Sequence, residues 1–423
     1  MLHAQLDVAG ESPASTSVAP KGNVLILAYW YPPDNESGAQ RPARFTRYLP
    51  RQGYQPYVVT ASSPREATGD ATISRVPDPR NVRFGTRVAQ LGGQILQRCL
   101  PYNERLEWLP HALARSRHIL EQNQIQAVIS TAPPTSVHLA ALILKRRFGV
   151  KWIADFRDPL TGNPFRNRRG ARWYDEGLER LIFRNADAII AVTDSIAEEW
   201  KQKYPRWASK IHVIWNGYDP DSDLGPQPVP QRKRKVISHV GAIYGGRHPK
   251  VLLCSLLRLV ERGALDPSTF LLRLVGTIDK DLLPIYESPM RELTSRGCVE
   301  LLNRLIPRAQ ALDLTAQSDG LLLLDGNDLN KGYTVPAKLY EYAQVGRPIL
   351  AQTARRSPVD RILGASGLQH VCIYHDQSEQ EVDRRVLEFL QLPNQSSPPN
   401  SWFLKTFDGE LQTEALSEIL GAL

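Results

Sequence analysis

Residues 334–350, TVPAKLYEYAQVGRPIL, set the fold class of this 423-residue chain. Pro336 suits the first turn of a helix, where its missing N–H would have no partner. Thr334 stands before it as a cap. Lys338 and Glu341, three apart, share one helix face. Gly346 then ends the helix, and Arg347-Pro348 leads into the apolar run Ile349-Leu350-Ala351, the entry to a buried strand. The start of this helix is also a ready anion site, because free backbone N–H groups, the helix dipole and Lys338 all favour negative charge. One turn further on, Glu341 can accept hydrogen bonds from a sugar diol. Phosphate beside ribose describes a nucleotide; an ordinary amphipathic surface helix is the plainer alternative.

Outward from this stretch the same helix–strand alternation repeats. In the first half, strands are expected at 23–30, 55–60, 125–131, 151–156, 188–193 and 210–215, and helices at 41–51, 135–148, 172–184 and 194–204. Residues 61–110, crowded with Pro and Gly, read as irregular. Asp219 to Lys235, DPDSDLGPQPVPQRKRK, lacks apolar periodicity and reads as a linker. Beyond it come strands at 236–240, 270–275, 299–302, 320–324, 348–352 and 368–373. Helices are expected at 249–262, 283–296, 308–316, 336–345 and 379–391, and a last amphipathic segment at 409–420. Alternation of this kind predicts parallel sheets covered on both faces. The chain therefore reads as α/β, with two Rossmann-like doubly wound domains: a tail over 1–22, a first domain over 23–222, a linker over 223–235 and a second domain over 236–400.

Composition is that of a soluble globular protein, with 42% hydrophobic and 23% charged residues. No apolar run approaches the ~20 residues of a membrane helix, and the N-terminus lacks the basic start and apolar middle of a secretory signal. Cys99, Cys254, Cys298 and Cys372 are widely spaced, which fits reduced thiols in a cytoplasmic protein. Net charge is +8, all of it in the first half: 29 Lys/Arg against 21 Asp/Glu up to Ser222, then 23 of each. Basic clusters at Lys145-Arg146-Arg147 and Arg166 to Arg172 suit an anionic membrane surface, a phosphorylated acceptor or simply solvent. No helix-turn-helix, finger or RNA-binding aromatic signature accompanies them, so nucleic acid is not expected.

In open α/β sheets ligands bind beyond the carboxyl ends of strands, so the loops leaving strands carry the candidates. Gly38-Ala39 opens a helix after the first strand, where small residues let backbone approach a diphosphate or sugar. His138 follows Pro133-Pro134 at another strand end. Asp155-Phe156-Arg157-Asp158 puts two carboxylates around a cation at a third, costly unless they pair or bind something. The loop Val240-Gly241-Ala242-Ile243-Tyr244-Gly245-Gly246-Arg247 has neither the GxGxxG order nor the GKS/T of the common phosphate loops. Its glycines and Arg247 still suit a diphosphate, which a guanidinium can grip by two oxygens. Asp219-Pro220-Asp221-Ser222-Asp223 fails as a calcium loop, with Leu224 at position six and no Glu at twelve, so no metal is expected.

YPPDNESGAQRPARF (31–45), ISTAPPTSVHLA (129–140), IADFRDP (153–159), ADAIIAVTDS (186–195), VIWNGYD (213–219), HVGAIYGG (239–246) and VPAKLYEYAQVGRPIL (335–350) together resemble the GT-B glycosyltransferases of family 4 (group 1). The resemblance implies two domains facing a central cleft that holds a nucleotide-sugar donor, with no cofactor or metal. It places Arg247 and Lys338 on the diphosphate and Glu341 on the ribose. Gly38, Ala39, Gly241 and Pro336 line the donor, Arg157, Asp158, Arg247 and Lys338 are the catalytic set, and His138 and Asp155 lie on the acceptor side. It further implies transfer with retention and no protein nucleophile, a role in bacterial surface polysaccharide or glycoconjugate synthesis, peripheral contact with the inner membrane face, and a final helix (409–423) crossing back onto the first domain. The chain departs from the pattern three times. Tyr333 stands where the first Glu of Glu-x7-Glu is usual, Arg157 replaces a common His, and Ala242 replaces a phosphate-binding Arg. A nucleotide-sugar epimerase and a non-catalytic sugar-nucleotide-binding module are the alternative functions.

Overall fold

The computed structural model describes residues 19–34, 37–61, 70–78, 102, 104–163, 166, 171–222, 224–226, 228, 231–326 and 335–423. Its first sheet holds β1 (Gly22–Ala28), β2 (Tyr54–Ala61), β3 (Ile73–Val76), β4 (Ile125–Ala132), β5 (Lys151–Phe156), β6 (Ala188–Ala191) and β7 (Ile211–Val213). Between them lie α1 (Gln40–Tyr48), α2 (Leu109–Gln122), α3 (Ser136–Phe148), α4 (Arg172–Asn185) and α5 (Asp194–Lys203). The second sheet holds β8 (Lys235–Val240), β9 (Phe270–Val275), β10 (Val299–Leu302), β11 (Gly320–Leu324), β12 (Ile349–Thr353) and β13 (His370–Tyr374). Its helices are α6 (Lys250–Glu261), α7 (Leu283–Ser295), α8 (Arg308–Ala316), α9 (Lys338–Val345), α10 (Pro358–Ser366) and α11 (Glu379–Gln391), followed by α12 (Ser401–Thr406) and α13 (Gly409–Gly421).

Strand order is β3-β2-β1-β4-β5-β6-β7 in one sheet and β10-β9-β8-β11-β12-β13 in the other, and every strand pair is parallel. Each sheet starts at its centre, winds outward one way, then crosses back and winds the other. The reversal falls between β1 and β4, and again between β8 and β11, and there the outgoing loops part to leave a crevice. Runs such as GLLLL in β11 are buried throughout, as strands covered on both faces require.

Four elements escaped the sequence reading. β3 and α2 lie in or next to the stretch taken as irregular; Pro110, read as part of it, occupies the first turn of α2, where proline is harmless. α10 likewise begins with Pro358 behind the cap Ser357, whose side chain accepts from the Asp360 N–H, and α12 starts behind Asn400. β7 stops at Val213, not at Trp215, because the Ile214 and Trp215 carbonyls turn to Arg41. The two basic clusters also separate. Arg172 opens α4 at the carboxyl edge of the first sheet, whereas Lys145-Arg146-Arg147 closes α3 at the opposite edge, with Lys145 paired to Asp187 at 2.5 Å.

Leu416 and Leu420 of α13 are buried with Val24, Ile26, Phe45 and Ile153 of the first domain. The chain thus crosses between domains twice, and the crossings run side by side. The Tyr218 N–H donates to the Phe407 carbonyl (2.9 Å) and the Gly409 N–H to the Tyr218 carbonyl (3.0 Å). No described helix is long and apolar enough to cross a membrane. Cys254, Cys298 and Cys372 are free thiols.

Candidate functional site

In the second domain the loops leaving β8 and β9 pack backbone to backbone. Gly241 adopts φ +140° and Gly276 φ +133°, both favourable only to glycine. A Cβ on Gly276 would overlap the Gly241 carbonyl, and one on Gly241 would overlap Cε and Nζ of Lys338. Further bonds tie the floor together: Ile243 N–H to Thr277 O (2.9 Å) and Ile278 N–H to Asn303 Oδ1 (3.0 Å). Lys338, the first residue of α9, therefore lays its ammonium directly on the Gly241 backbone at the β8/β11 reversal. Burial lowers its pKa to about 8, with Glu341 opposing the shift and Arg247 adding to it. Pro336 is buried just ahead of the helix.

Arg247 donates from Nη1 to the Tyr244 hydroxyl (2.9 Å) and lies over that ring, 5.5 Å from its centre. Its charge reaches Lys338, His239 and Asp325 in its own domain and Asp158 in the other. Asp325, 4% exposed, follows β11 and accepts from Thr353 Oγ1 (2.8 Å) and the Gly326 N–H (2.9 Å). Burial raises its pKa. His239, buried at the end of β8, donates from Nδ1 to Leu322 O (2.9 Å), and burial pushes its pKa down to about 3, so it stays neutral. Glu341 pairs with Arg308 at 2.8 Å, so a ribose hydroxyl would share this carboxylate with a cation that the sequence reading had not placed there.

In the first domain Asp155, expected on the acceptor side, is held in an ion pair. It is fully buried and forked by Arg41, with Nε at 2.9 Å and Nη2 at 2.8 Å. Arg41 also donates to the carbonyls of Ile214 (2.9 Å) and Trp215 (3.0 Å) and to Asn216 Oδ1 (3.3 Å). This pair anchors α1 and the exit of β7. His138, the other residue expected on the acceptor side, is buried. It lies inside the domain, its Nδ1 2.7 Å from Ser130 Oγ and its ring against Phe156 (4.5 Å between centres). Burial holds its pKa down at about 3, well away from any proton transfer at neutral pH.

Arg157 clasps the two neighbouring loops that leave β1 and β4. It donates to the carbonyls of Ala132 (3.1 Å), Pro133 and Gly38. The space a Cβ on Gly38 would need is filled by this guanidinium, so the small residue admits Arg157 rather than a donor, and Ala39 is completely buried at the start of α1. Burial raises the pKa of Asp158, next along, and the charges of Arg157 and Arg247 oppose the rise. Lys338, Gly241, Pro336, Arg247 and Glu341 are thus brought together at one strand reversal, with Asp158 across the cleft. Asp325, His239 and Arg308 were missed; an acid directly after the apolar run Gly320–Leu324 was the one available signal. Tyr333 and Thr334 lie outside the described residues. Among the described residues no three His, Cys, Asp or Glu side chains gather as a metal site.

Two doubly wound domains, with cations and a helix N-terminus in one and an Arg-Asp turn in the other, give this chain the fold of the GT-B glycosyltransferases. Residues 41–222 match the model of Glycosyltransferase Family 4. No curated protein sequence matches the chain significantly. Among solved structures, Anabaena HepE in complex with UDP-glucose resembles it with TM-score 0.64 and 12% identity, over 95% of this chain and 100% of that one. Sucrose-phosphate synthase from Thermosynechococcus elongatus gives 0.60 and 12%, over 95% and 97%. WaaG, a glycosyltransferase of lipopolysaccharide biosynthesis, gives 0.58 and 15%, over 94% of each chain. At such identities the likeness is one of fold.

Proposed function

We propose that this chain transfers a sugar from a nucleotide-sugar to an acceptor hydroxyl with retention, in the synthesis of a polysaccharide or glycoconjugate at the cytoplasmic side. The observation that carries the reading is Lys338 lying on the Gly241 backbone at the start of α9, with Arg247 beside it. In this reading the bond from the anomeric carbon to the diphosphate breaks, the acceptor oxygen bonds that carbon on the same face, and the acceptor proton passes to the departing phosphate oxygen. Charge grows on the diphosphate, where Lys338, Arg247 and the N-terminal N–H groups of α9 meet it; preorganised groups of this kind are worth several kcal/mol. Glu341 takes the ribose, and Asp158 receives the acceptor hydroxyl from across the cleft. Arg157 acts as a positioning residue that fixes the turn carrying Asp158.

Thermal shift against a panel of nucleoside diphosphate sugars tests this. A true donor at 100 times its dissociation constant stabilises by about 2.7 kcal/mol, a shift of several degrees. No shift with any diphosphate sugar would count against the reading. Transfer should also persist in EDTA, since the reading places protein cations on the diphosphate; loss of transfer restored by Mg²⁺ would refute that part.

A pH dependence follows from Lys338. Its depressed pKa means the ammonium is lost between about pH 8 and the ordinary lysine value, so kcat/KM for the donor should fall as pH rises through about 8. A profile flat to pH 10 would separate Lys338 from the diphosphate.

A further inference from the structure

The segment that leads into α2 lies across the carboxyl edge of the first sheet. Glu104 and Arg105 point opposite ways along it. Glu104 is 3% exposed and holds Arg166 (2.7 Å) and the Thr135 N–H (3.2 Å) on the β4 side. Arg105 turns to the other side, where its guanidinium lies over the rings of Tyr29 (5.3 Å) and Trp30 (5.6 Å), at the end of β1. Its partner there is Asp78, fully buried, 3.7 Å away and also bonded by the Tyr29 hydroxyl. Tyr29 is wedged edge-on between Trp30 (4.6 Å) and Trp108 (5.5 Å), so the aromatic support is rigid.

Arg105 is one of two described non-glycine residues with positive φ, at φ 54° and ψ 38°. That backbone costs on the order of 1 kcal/mol or more for a side chain with a Cβ, and such costs concentrate where a group must be aimed. Here it permits consecutive charged residues to serve two clusters. Trp30 remains partly exposed and the Arg105 side chain 25% exposed. An indole face stacks on the C–H face of a sugar ring, and a guanidinium forks a carboxylate or phosphate. The net positive charge of the whole chain also falls within the half that carries this edge.

We propose that Trp30 and Arg105 form an acceptor subsite for an acidic sugar, one bearing a phosphate or a carboxylate. Calling it an acceptor subsite rests on the glycosyl-transfer reading above; the binding preference does not. Calorimetric titration of the full chain with glucose 6-phosphate, glucuronate and glucose tests it, with UDP titrated in parallel. At least one acidic sugar should bind about tenfold or more tightly than glucose, which corresponds to ~1.4 kcal/mol. Phosphate and carboxylate are distinguished by which of the two shows it. Arg105→Gln should bring the acidic sugars close to glucose, and Trp30→Leu should weaken all three. Arg105→Gly removes the guanidinium and relieves the backbone, which offsets part of the cost of taking this countercharge from buried Asp78, and should also lose the preference. UDP affinity should be unchanged in every variant. Equal binding of all three sugars, no binding of any, or a preference that survives both Arg105 variants overturns the proposal. Failure of UDP alone to bind counts against the donor site instead.

Discussion

Lys338→Ala is expected to lower transfer by about 10²–10³-fold while leaving the protein folded, the range seen when one preorganised donor to a developing oxyanion is removed. The expectation follows from what the side chain does in the fold. Lys338 sits at the first residue of α9 and spends little on stability: burial disfavours its charge, and only Glu341 offsets that. Removing it relieves a desolvated ammonium and exposes the Gly241 backbone. The loss should therefore appear in kcat and kcat/KM, not in Tm. Gly241→Ala would reach the same atom from the other side, since its Cβ needs the space of Cε and Nζ. Wild-type rates in Lys338→Ala would end the assignment of the diphosphate to this position.

Asp155→Ala should be the most destabilising single change at the cleft, by about 3–5 kcal/mol, because it leaves a buried guanidinium without its countercharge. Arg41 is only 2% exposed, and its remaining acceptors, the Ile214 and Trp215 carbonyls and Asn216, carry no formal charge. For a unit of this size that corresponds to a drop in Tm of roughly 6–20 °C. Replacing both partners by leucine should recover much of the loss, since no charge is then stranded. Transfer assayed well below the melting range should stay within about tenfold of wild type, a much smaller effect than loss of a transition-state donor. A folded Asp155→Ala with abolished transfer would restore Asp155 to the reacting groups.

The strand–helix order was legible because parallel strands buried on both faces write themselves as apolar runs, as GLLLL in β11 and AIIA in β6 do. Where proline begins a helix the signal inverts: Pro110 and Pro358 look like breakers and are first-turn residues of α2 and α10. The same contrast runs through the site. Lys338 and Glu341 were readable because their spacing is local to one helix. Arg41 with Asp155 was not, being 114 residues apart in sequence, and the pair Asp155–Arg157 suggested by adjacency proved to be two separate structural devices. His138 shows the remaining gap, since a period-based reading places a helix but not which of its faces looks inward.

The paired crossings at Tyr218 and Phe407 make the second domain an insertion, bounded at both ends by one short two-stranded ribbon and closed off by a helix that belongs to the first domain. Any rotation of the second domain against the first passes through both of these adjacent tethers. A label or fusion at Leu423 would ride with the first domain, and cutting the chain before Gly409 would bare the groove under Leu416 and Leu420 in a domain two hundred residues upstream.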